Sequence, residues 1–323
     1  MKQLFIQDLK KGDTIFGESF AVKYYKRSAT RNNKPFIDIE LADKTGTIRG
    51  KIWSDDMANC KEVVPGDVVS VNGTIEEFQG RLQLRLTNLS KLRDFNLEDY
   101  QTRSRNDIDK MFAEITDTIK NIKNPHIKSL LSNIFDDAKF AEDFRNASAA
   151  YTVHHSYLGG LLEHTTEVLA IAKTLIKRFP KLNKDVLFSG AILHDIGKVF
   201  EFEVGTTVTI RTEGKLLGHI FLGTEYIKNK APKDIPADLL NEILHLILSH
   251  HGELQFGSPV VPMTGEAVAL NMCDKTSSQT NMAYRSIFEN NATEEFTEYH
   301  RQLGTELYRS PYQNDLMNED IPF

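Results

Sequence analysis

The period of the apolar residues changes once along this 323-residue chain, and that change most limits the folds open to it. Up to about residue 90, apolar and polar residues alternate, as they do in strands with one buried face. From residue 108 onward, apolar residues recur every three or four positions, as on one face of a helix. A strand-rich first part and a helical second part predict two domains of different class.

The strand-rich part predicts about five strands within roughly 80 residues, a number and length typical of a small Greek-key barrel. Alternation is clearest in residues 36–41, 47–53, 68–75 and 81–86, and Asp43-Lys44-Thr45-Gly46 reads as a turn. Barrels of this size commonly bind oligonucleotides on one face. The arrangement resembles an OB-fold.

Cationic and aromatic side chains share the polar face of two predicted strands: Arg49, Lys51 and Trp53 lie on one strand, and Arg81 and Arg85 on another. Cations neutralise phosphates, and an indole ring can stack on a base. The alternative is a solvated strand face on which Trp53 covers a barrel edge. The set as a whole favours binding of single-stranded RNA or DNA.

Charge and composition narrow the class of protein. Residues 1–105 hold 18 Lys/Arg and 15 Asp/Glu, a net charge of +3, which leaves −9 for the rest because the whole chain carries −6. This balance excludes a histone-like polycation but allows a local basic face. Two cysteines predict neither a disulfide framework nor a thiolate zinc site. The sequence shows no apolar run long enough to span a bilayer and no signal-peptide core, so we expect a cytoplasmic protein without membrane contact.

Histidines are the most informative residues of the helical part. Imidazole and carboxylate groups without thiolates form sites for Mn, Fe, Co, Ni or Zn, and two such ions can hydrolyse phosphate esters. The alternative is that these are unrelated histidines of the core. This alternative explains a single histidine more readily than it explains the whole set. Seven of the ten histidines belong to the series, which is His154, His155, His164, His194, His219, His250 and His251, accompanied by Asp195 and Asp274.

The motifs that carry these residues resemble those of the HD-domain metal-dependent phosphohydrolases. They are Tyr-Leu-Gly-Gly-Leu-Leu-Glu-His at 157–164, Leu-His-Asp-Ile-Gly-Lys at 193–198, Gly-His at 218–219 and Ser-His-His-Gly at 249–252. An OB-fold in front of such a domain is similar to the YhaM-type 3′→5′ exoribonucleases of Gram-positive bacteria. The fold class implied is a multidomain α and β protein, with an N-terminal OB-fold β-barrel followed by an all-α HD domain.

The resemblance also implies roles for residues of this chain. It implies a divalent-metal cofactor of two ions, with Mn²⁺ preferred and Fe²⁺, Co²⁺ or Zn²⁺ as alternatives. Asp195 and Lys198 would be catalytic, Asp195 as the carboxylate that bridges the ions and Lys198 near the substrate phosphate. The implied metal ligands are His164, His194, Asp195, His219, His250 and Asp274, and His251 and His155 are candidates for a further ligand or a phosphate contact.

The domain organisation predicted is an OB-fold nucleic-acid-binding domain at 1–90, a linker at 91–107, a helical HD domain at 108–312 and an acidic tail at 313–323. The tail resembles the C-terminal tip of bacterial single-stranded DNA-binding proteins, which predicts a protein partner. The alternative for the tail is an acidic end without a role. We also expect that the chain can form a homo-oligomer.

The predicted function is a metal-dependent 3′→5′ exonuclease that degrades single-stranded RNA, and also DNA, to nucleoside 5′-monophosphates. A metal-activated water would attack the phosphodiester. One alternative is an HD nucleotide phosphohydrolase that uses the barrel as a sensor. A second alternative is a single-strand-binding replication or repair factor with an idle HD site.

Overall fold

The computed structural model describes residues 2–30, 32–78, 80–101, 103–151, 157–288 and 294–311. Two predictions fall outside these ranges: the roles of His154 and His155, and the partner contact of the tail at 313–323. Within the described helices, none combines the length and the apolar character needed to cross a membrane.

The N-terminal part contains the strands β1 (Thr14–Ala29), β2 (Pro35–Asp43), β3 (Gly46–Trp53), β4 (Val68–Phe78) and β5 (Arg81–Lys91). They form a closed barrel in the order β1-β2-β3-β5-β4, which confirms the predicted OB-fold. The long first strand pairs antiparallel with β2 over its second half and with β4 over its first half. A parallel pairing of β3 with β5 closes the barrel.

The barrel core follows the predicted alternation with one exception. Ile37, Ile39 and Leu41 of β2 are buried, as are Leu84 and Leu86 of β5. Leu82, expected to lie on the same inner face, is instead 39% exposed. The pairing of β5 with β3 starts at residue 83, so Leu82 lies beyond the closed part of the barrel.

The helical part packs around one apolar core. The helices are α1 (Ile108–Lys120), α2 (Pro125–Phe135), α3 (Ala138–Asn146), α4 (Gly160–Arg178), α5 (Lys184–Leu193), α6 (Lys198–Glu201), α7 (Thr212–Lys230), α8 (Ala237–Ser249) and α9 (Gly265–Phe288). The Val/Thr alternation of residues 200–211 predicts a short hairpin, and the structure confirms it as β6 (Phe202–Val204) with β7 (Val208–Ile210). The sequence pattern did not predict α3. It predicts a helix at about 217–230, and α7 begins five residues earlier and bends at Gly218, where φ is 71°.

The β6–β7 hairpin links the helical part to the barrel side of the chain. Thr206 Oγ1 donates a hydrogen bond to the carbonyl of Gly66 at 2.7 Å, and Gln101 Nε2 donates to the carbonyl of Gly205 at 2.8 Å. The charged sequence around His300 predicts a C-terminal helix, but His300 instead forms an isolated β-bridge with Thr305 across a turn. Its carbonyl accepts from the amide of Gly304, a residue with φ of 70°, and this left-handed conformation does not continue a helix.

Candidate metal centre

Six of the predicted site residues come together at the ends and faces of five elements. The apolar helix α5 ends at Leu193, so the next two residues leave its C-terminus in a turn before α6. Adjacent residues within a helix point about 100° apart, so they can serve one site only where the helix ends. The end of α5 meets this condition and brings both His194 and Asp195 to one point. The others come from α4 (His164), α7 (His219), the C-terminal cap of α8 (His250) and α9 (Asp274).

One group of ligand atoms surrounds His164. Its Nε2 lies 3.1 Å from Nε2 of His194, 3.2 Å from Oδ1 of Asp274 and 3.6 Å from Oδ2 of Asp195. Oδ2 of Asp195 is also 3.4 Å from Nε2 of His194. Ligand atoms about 2.1 Å from one metal ion are separated from each other by roughly 3.0–3.5 Å. The spacing in this group, called the first group below, is that of a coordination sphere.

A second group lies on the other side of the same carboxylate. Oδ1 of Asp195 is 3.5 Å from Nε2 of His219 and 3.5 Å from Nε2 of His250. His219, His250 and His251 each offer a ring nitrogen within 4.8 Å of the others. Asp195 therefore directs one oxygen to each group.

Backbone carbonyls fix the ring tautomers of two histidines. His194 Nδ1 donates to the carbonyl of Ala191 at 3.0 Å, and His250 Nδ1 donates to the carbonyl of Ile247 at 2.7 Å. A carbonyl only accepts, so the proton lies on Nδ1, and Nε2 of the neutral ring carries a lone pair that faces the centre.

Carboxylates fix two further histidines, one of them through a serine. Ser277 Oγ donates its proton to Oε2 of Glu167 at 2.5 Å, so the serine oxygen itself accepts from Nδ1 of His164 at 2.9 Å. Nδ1 of His219 lies 3.2 Å from Oε2 of Glu201, which accepts only. Outer partners of this kind orient metal-bound imidazoles and set their tautomer.

A divalent cation fits these residues. Oδ1 of Asp195, Nε2 of His219 and Nε2 of His250 are buried, and among the described residues they find no hydrogen-bond partner. Buried polar atoms without partners are costly, and lone pairs that face one another across about 3 Å repel. A cation between them removes both penalties.

Burial and charge set the protonation of the centre. Burial lowers the pKa of His164 and His250, and burial together with the neighbouring His250 and His219 lowers the pKa of His251 to about 4. These imidazoles are therefore neutral near pH 7, the form that binds metals. For Asp195, burial acts to raise the pKa, but Lys198 and His194 hold it well below its usual range. For His194, burial acts to lower the pKa, and the Asp195 carboxylate outweighs it, so the pKa is raised and a metal would displace a proton there.

Two more predicted residues can be placed. Lys198 Nζ donates to Oδ2 of Asp195 at 2.6 Å, at the edge of the first group. The ring of His251 lies against those of His219 and His250, and its Nδ1 donates to the carbonyl of Phe256 at 3.0 Å. His245, which is not among the predicted site residues, accepts from the amide of Met263 at 2.9 Å and takes part in neither group.

The predicted nucleic-acid face is only partly assembled. Lys51 lies beside Arg85 across the β3–β5 pairing, and its Nζ is 5.4 Å from the ring centre of Trp53. Arg49 is exposed on the same strand two residues earlier. Arg81 differs from these residues, because it forms an ion pair with Glu298 of the C-terminal segment.

Sequence reasoning missed a second ring on this face and the outer partners of the histidines. Phe36 pairs with Trp53 in the β2–β3 register, with ring centres 5.7 Å apart. The turn at 43–46 fixes the pairing register of the two strands, and counting residue pairs back from that turn places Phe36 opposite Trp53. Glu167 follows His164 by three residues on α4, and Ser277 follows Asp274 by three on α9, so helical spacing was the available signal. The remaining missed partner is Glu201.

The fold and the centre define an OB-fold protein with an HD domain. A family model described as HD domain matches residues 161–279, and one described as OB-fold nucleic acid binding domain matches residues 14–92. Curated relatives match this chain over most of their length. The chain is 32% identical to the "3'-5' exoribonuclease YhaM" of Oceanobacillus iheyensis over 87% of this chain and 90% of that protein.

The proteins of the same name in two other bacteria give similar values. Identity is 33% with that of Shouchella clausii, over 90% of this chain and 91% of the relative, and 33% with that of Bacillus subtilis, over 82% and 85%. The chain belongs to the YhaM family.

Proposed function

We propose that this chain is a metal-dependent 3′→5′ exonuclease that degrades single-stranded RNA to nucleoside 5′-monophosphates. The observation that carries the proposal is the position of Asp195, which directs one carboxylate oxygen to each of two groups of imidazole nitrogens. An OB-fold in the same chain supplies a means of holding a single strand. The activity is the one printed in the names of the relatives.

The cofactor we infer is a pair of divalent ions. The first group (His164, His194, Asp195 and Asp274) would hold one, and the second group (Asp195, His219, His250 and His251) the other. Nitrogen and carboxylate donors accept Mn²⁺, Fe²⁺, Co²⁺ and Zn²⁺, and we favour Mn²⁺. His251 is better suited to a ligand role than to a phosphate contact, because a neutral ring whose Nδ1–H is already donated has only a lone pair to offer.

The reaction we propose is hydrolysis of the terminal phosphodiester. Divalent ions held by the two groups would supply a water of lowered pKa and neutralise charge on the phosphoryl oxygens. The chain contributes a carboxylate, Asp195, that stays ionised in a buried site. It also holds His164, His194 and His250 with their lone pairs directed inward, so that little reorganisation is needed when substrate arrives.

Lys198 supplies the cation that the reaction needs beside the phosphate. Its ammonium shares Oδ2 of Asp195 with the first group, and its side chain is largely buried. When substrate is bound, the Lys198 ammonium would donate to a phosphoryl oxygen in place of Oδ2 of Asp195. In a site of low dielectric, such a donor stabilises the charge that develops in the transition state.

The barrel face would hold the strand that enters the centre. Arg49, Lys51 and Arg85 contact phosphates, and Trp53 with Phe36 stacks on bases. Neither contact distinguishes ribose from deoxyribose, so we include single-stranded DNA as a second substrate. A protein partner for the tail, a homo-oligomer and a cytoplasmic location are further proposals.

The test uses single-stranded RNA labelled at its 5′ end, the metal-stripped protein, and Mn²⁺ added back. We expect a ladder that shortens from the 3′ end, releases nucleoside 5′-monophosphates and disappears in Asp195→Asn, which keeps the shape of the side chain but removes its charge. A circular RNA of the same sequence is the matched control and should stay intact. Cleavage of the circle would identify an endonuclease, and an intact linear RNA would refute the proposal and direct the search to small nucleotides.

A further inference from the structure

The loop that follows His251 is tied to the metal centre. It leaves α8 through Gly252, forms the short turn Leu254–Phe256 and returns through Gly257, and the two glycines have φ of 81° and 84°. The carbonyl of Phe256 accepts the hydrogen bond from Nδ1 of His251 at 3.0 Å. The backbone of Phe256 is thus fixed by a histidine of the second group.

The side chains of this loop nevertheless face solvent. Leu254 is 65% exposed and Phe256 is 57% exposed. Lys275, the residue after Asp274 on α9, reaches across to the loop. Its Nζ lies 3.7 Å from Oε1 of Glu253 and 5.9 Å from the ring centre of Phe256. An open aromatic ring and a cation therefore lie side by side, the ring on the loop that is hydrogen-bonded to His251 and the cation on the residue after Asp274.

We propose that Phe256 and Lys275 form the subsite for the terminal nucleotide of the strand, with its base stacked on the Phe256 ring and its sugar–phosphate beside Lys275. This inference rests on the proposed function. The ring presents a surface on which any base can stack, and the cation complements the phosphate next to it. Stacking does not read base identity, so such a subsite suits an enzyme that removes successive nucleotides regardless of sequence.

The subsite also explains why an apolar ring is held so close to a polar centre. A phenylalanine placed there without a ligand exposes apolar surface to water, and its carbonyl alone would serve His251 with any side chain. A base that covers the ring removes that surface from water.

The experiment compares two RNAs that differ only at the 3′-terminal residue, which is adenosine in one and an abasic ribose in the other. The quantity measured is the ratio of kcat/KM for the adenosine-ended RNA to that for the abasic RNA, with the Mn²⁺-loaded full-length protein. In Phe256→Ala we expect this ratio to fall about tenfold, the size of a lost base–aromatic stack. Phe256→Trp should keep the ratio, and Leu254→Ala, an exposed change in the same loop, is the matched control that should match the wild type.

Lys275→Met tests the cationic half of the subsite, since it keeps the aliphatic stem and removes the charge. We expect it to lower kcat/KM for both RNAs by a similar factor, because both carry the phosphate. Bound manganese, measured by elemental analysis, should equal that of the wild type in the Phe256 and Lys275 variants.

Two outcomes would overturn the subsite. A ratio in Phe256→Ala equal to that of the wild type would show that the ring does not contact the base. An equal loss on both RNAs together with lost manganese would show that the ring only supports His251. If the wild type shortens neither RNA, both the proposed exonuclease function and the subsite are refuted. If the wild type shortens RNA, the variants test the subsite independently of the proposed function.

Discussion

The turn between α5 and α6 leaves no room for a side chain at Gly197. We therefore predict that a single added methyl group, in Gly197→Ala, lowers both the stability of the protein and its affinity for manganese. A Cβ at this position would lie 2.6 Å from the amide nitrogen of Gly223 and closer still to the carbonyl oxygen of His219. Gly197→Ala must therefore push α7 away from the turn by roughly 1 Å or more, because close-packed backbone cannot absorb such an overlap. His219 moves with α7, while Asp195 stays with the turn.

The expected cost has two parts. Overpacking typically lowers the free energy of unfolding by about 1–3 kcal/mol, and each kcal/mol lowers Tm by about 2–4 °C in a domain of this size. Metal ligands tolerate displacements of only about 0.2 Å, so a shift of His219 relative to Asp195 should weaken manganese binding at the second group by about 10–100-fold.

The assay is manganese titration by isothermal calorimetry beside a thermal melt. Gly205→Ala is the matched control, because a Cβ there would meet only Thr207 O at an ordinary 3.8 Å. The control should bind manganese and melt like the wild type. A Gly197→Ala protein with wild-type affinity at both groups and an unchanged Tm would refute the claim that the approach of turn and helix positions His219.

Three further predictions concern the centre and the barrel face. Ser277→Ala removes the acceptor for Nδ1 of His164 and should weaken manganese binding at the first group about 10–100-fold, measured by calorimetry, whereas Ser277→Thr should bind normally. Lys198→Met should lower kcat on RNA by about 100-fold with manganese content retained, and equal rates would remove Lys198 from the reaction. Replacing both Arg49 and Lys51 by Gln should reduce the slope of log K against log salt for single-stranded RNA by about 1.4, measured by fluorescence anisotropy. An unchanged slope would place the strand elsewhere.

Local pattern was enough to predict the barrel, because in a strand the side-chain period alone decides which face is buried. The five strands and the inner positions of β2 followed from alternation. The exposure of Leu82 did not follow from alternation, since it depends on where β5 starts to pair with β3, which is a non-local property. The helix α3 was missed because its short apolar pattern has only Phe140 and Phe144 in the core.

The histidine series was visible in the sequence because it depends on residue type and spacing. The resemblance implied that Asp195 bridges two ions, but the distances within the two groups required the fold, since they depend on how α4, α7, α8 and α9 meet at the end of α5. The tautomers required it as well, because Ser277 and Glu167 lie on different helices and act together only in space. For Arg81, the sequence pattern correctly predicted a position on a strand. It could not predict the ion pair with Glu298, because that residue is more than 200 positions away in the chain.

An anomalous difference map at the manganese edge, from crystals grown with Mn²⁺, would locate the bound ions directly. We predict two peaks roughly 3.5–4 Å apart with Asp195 between them, one bound by His164 and His194 and the other by His219 and His250. One peak at either group alone, or peaks remote from Asp195, would contradict the shared carboxylate on which the proposed hydrolysis depends.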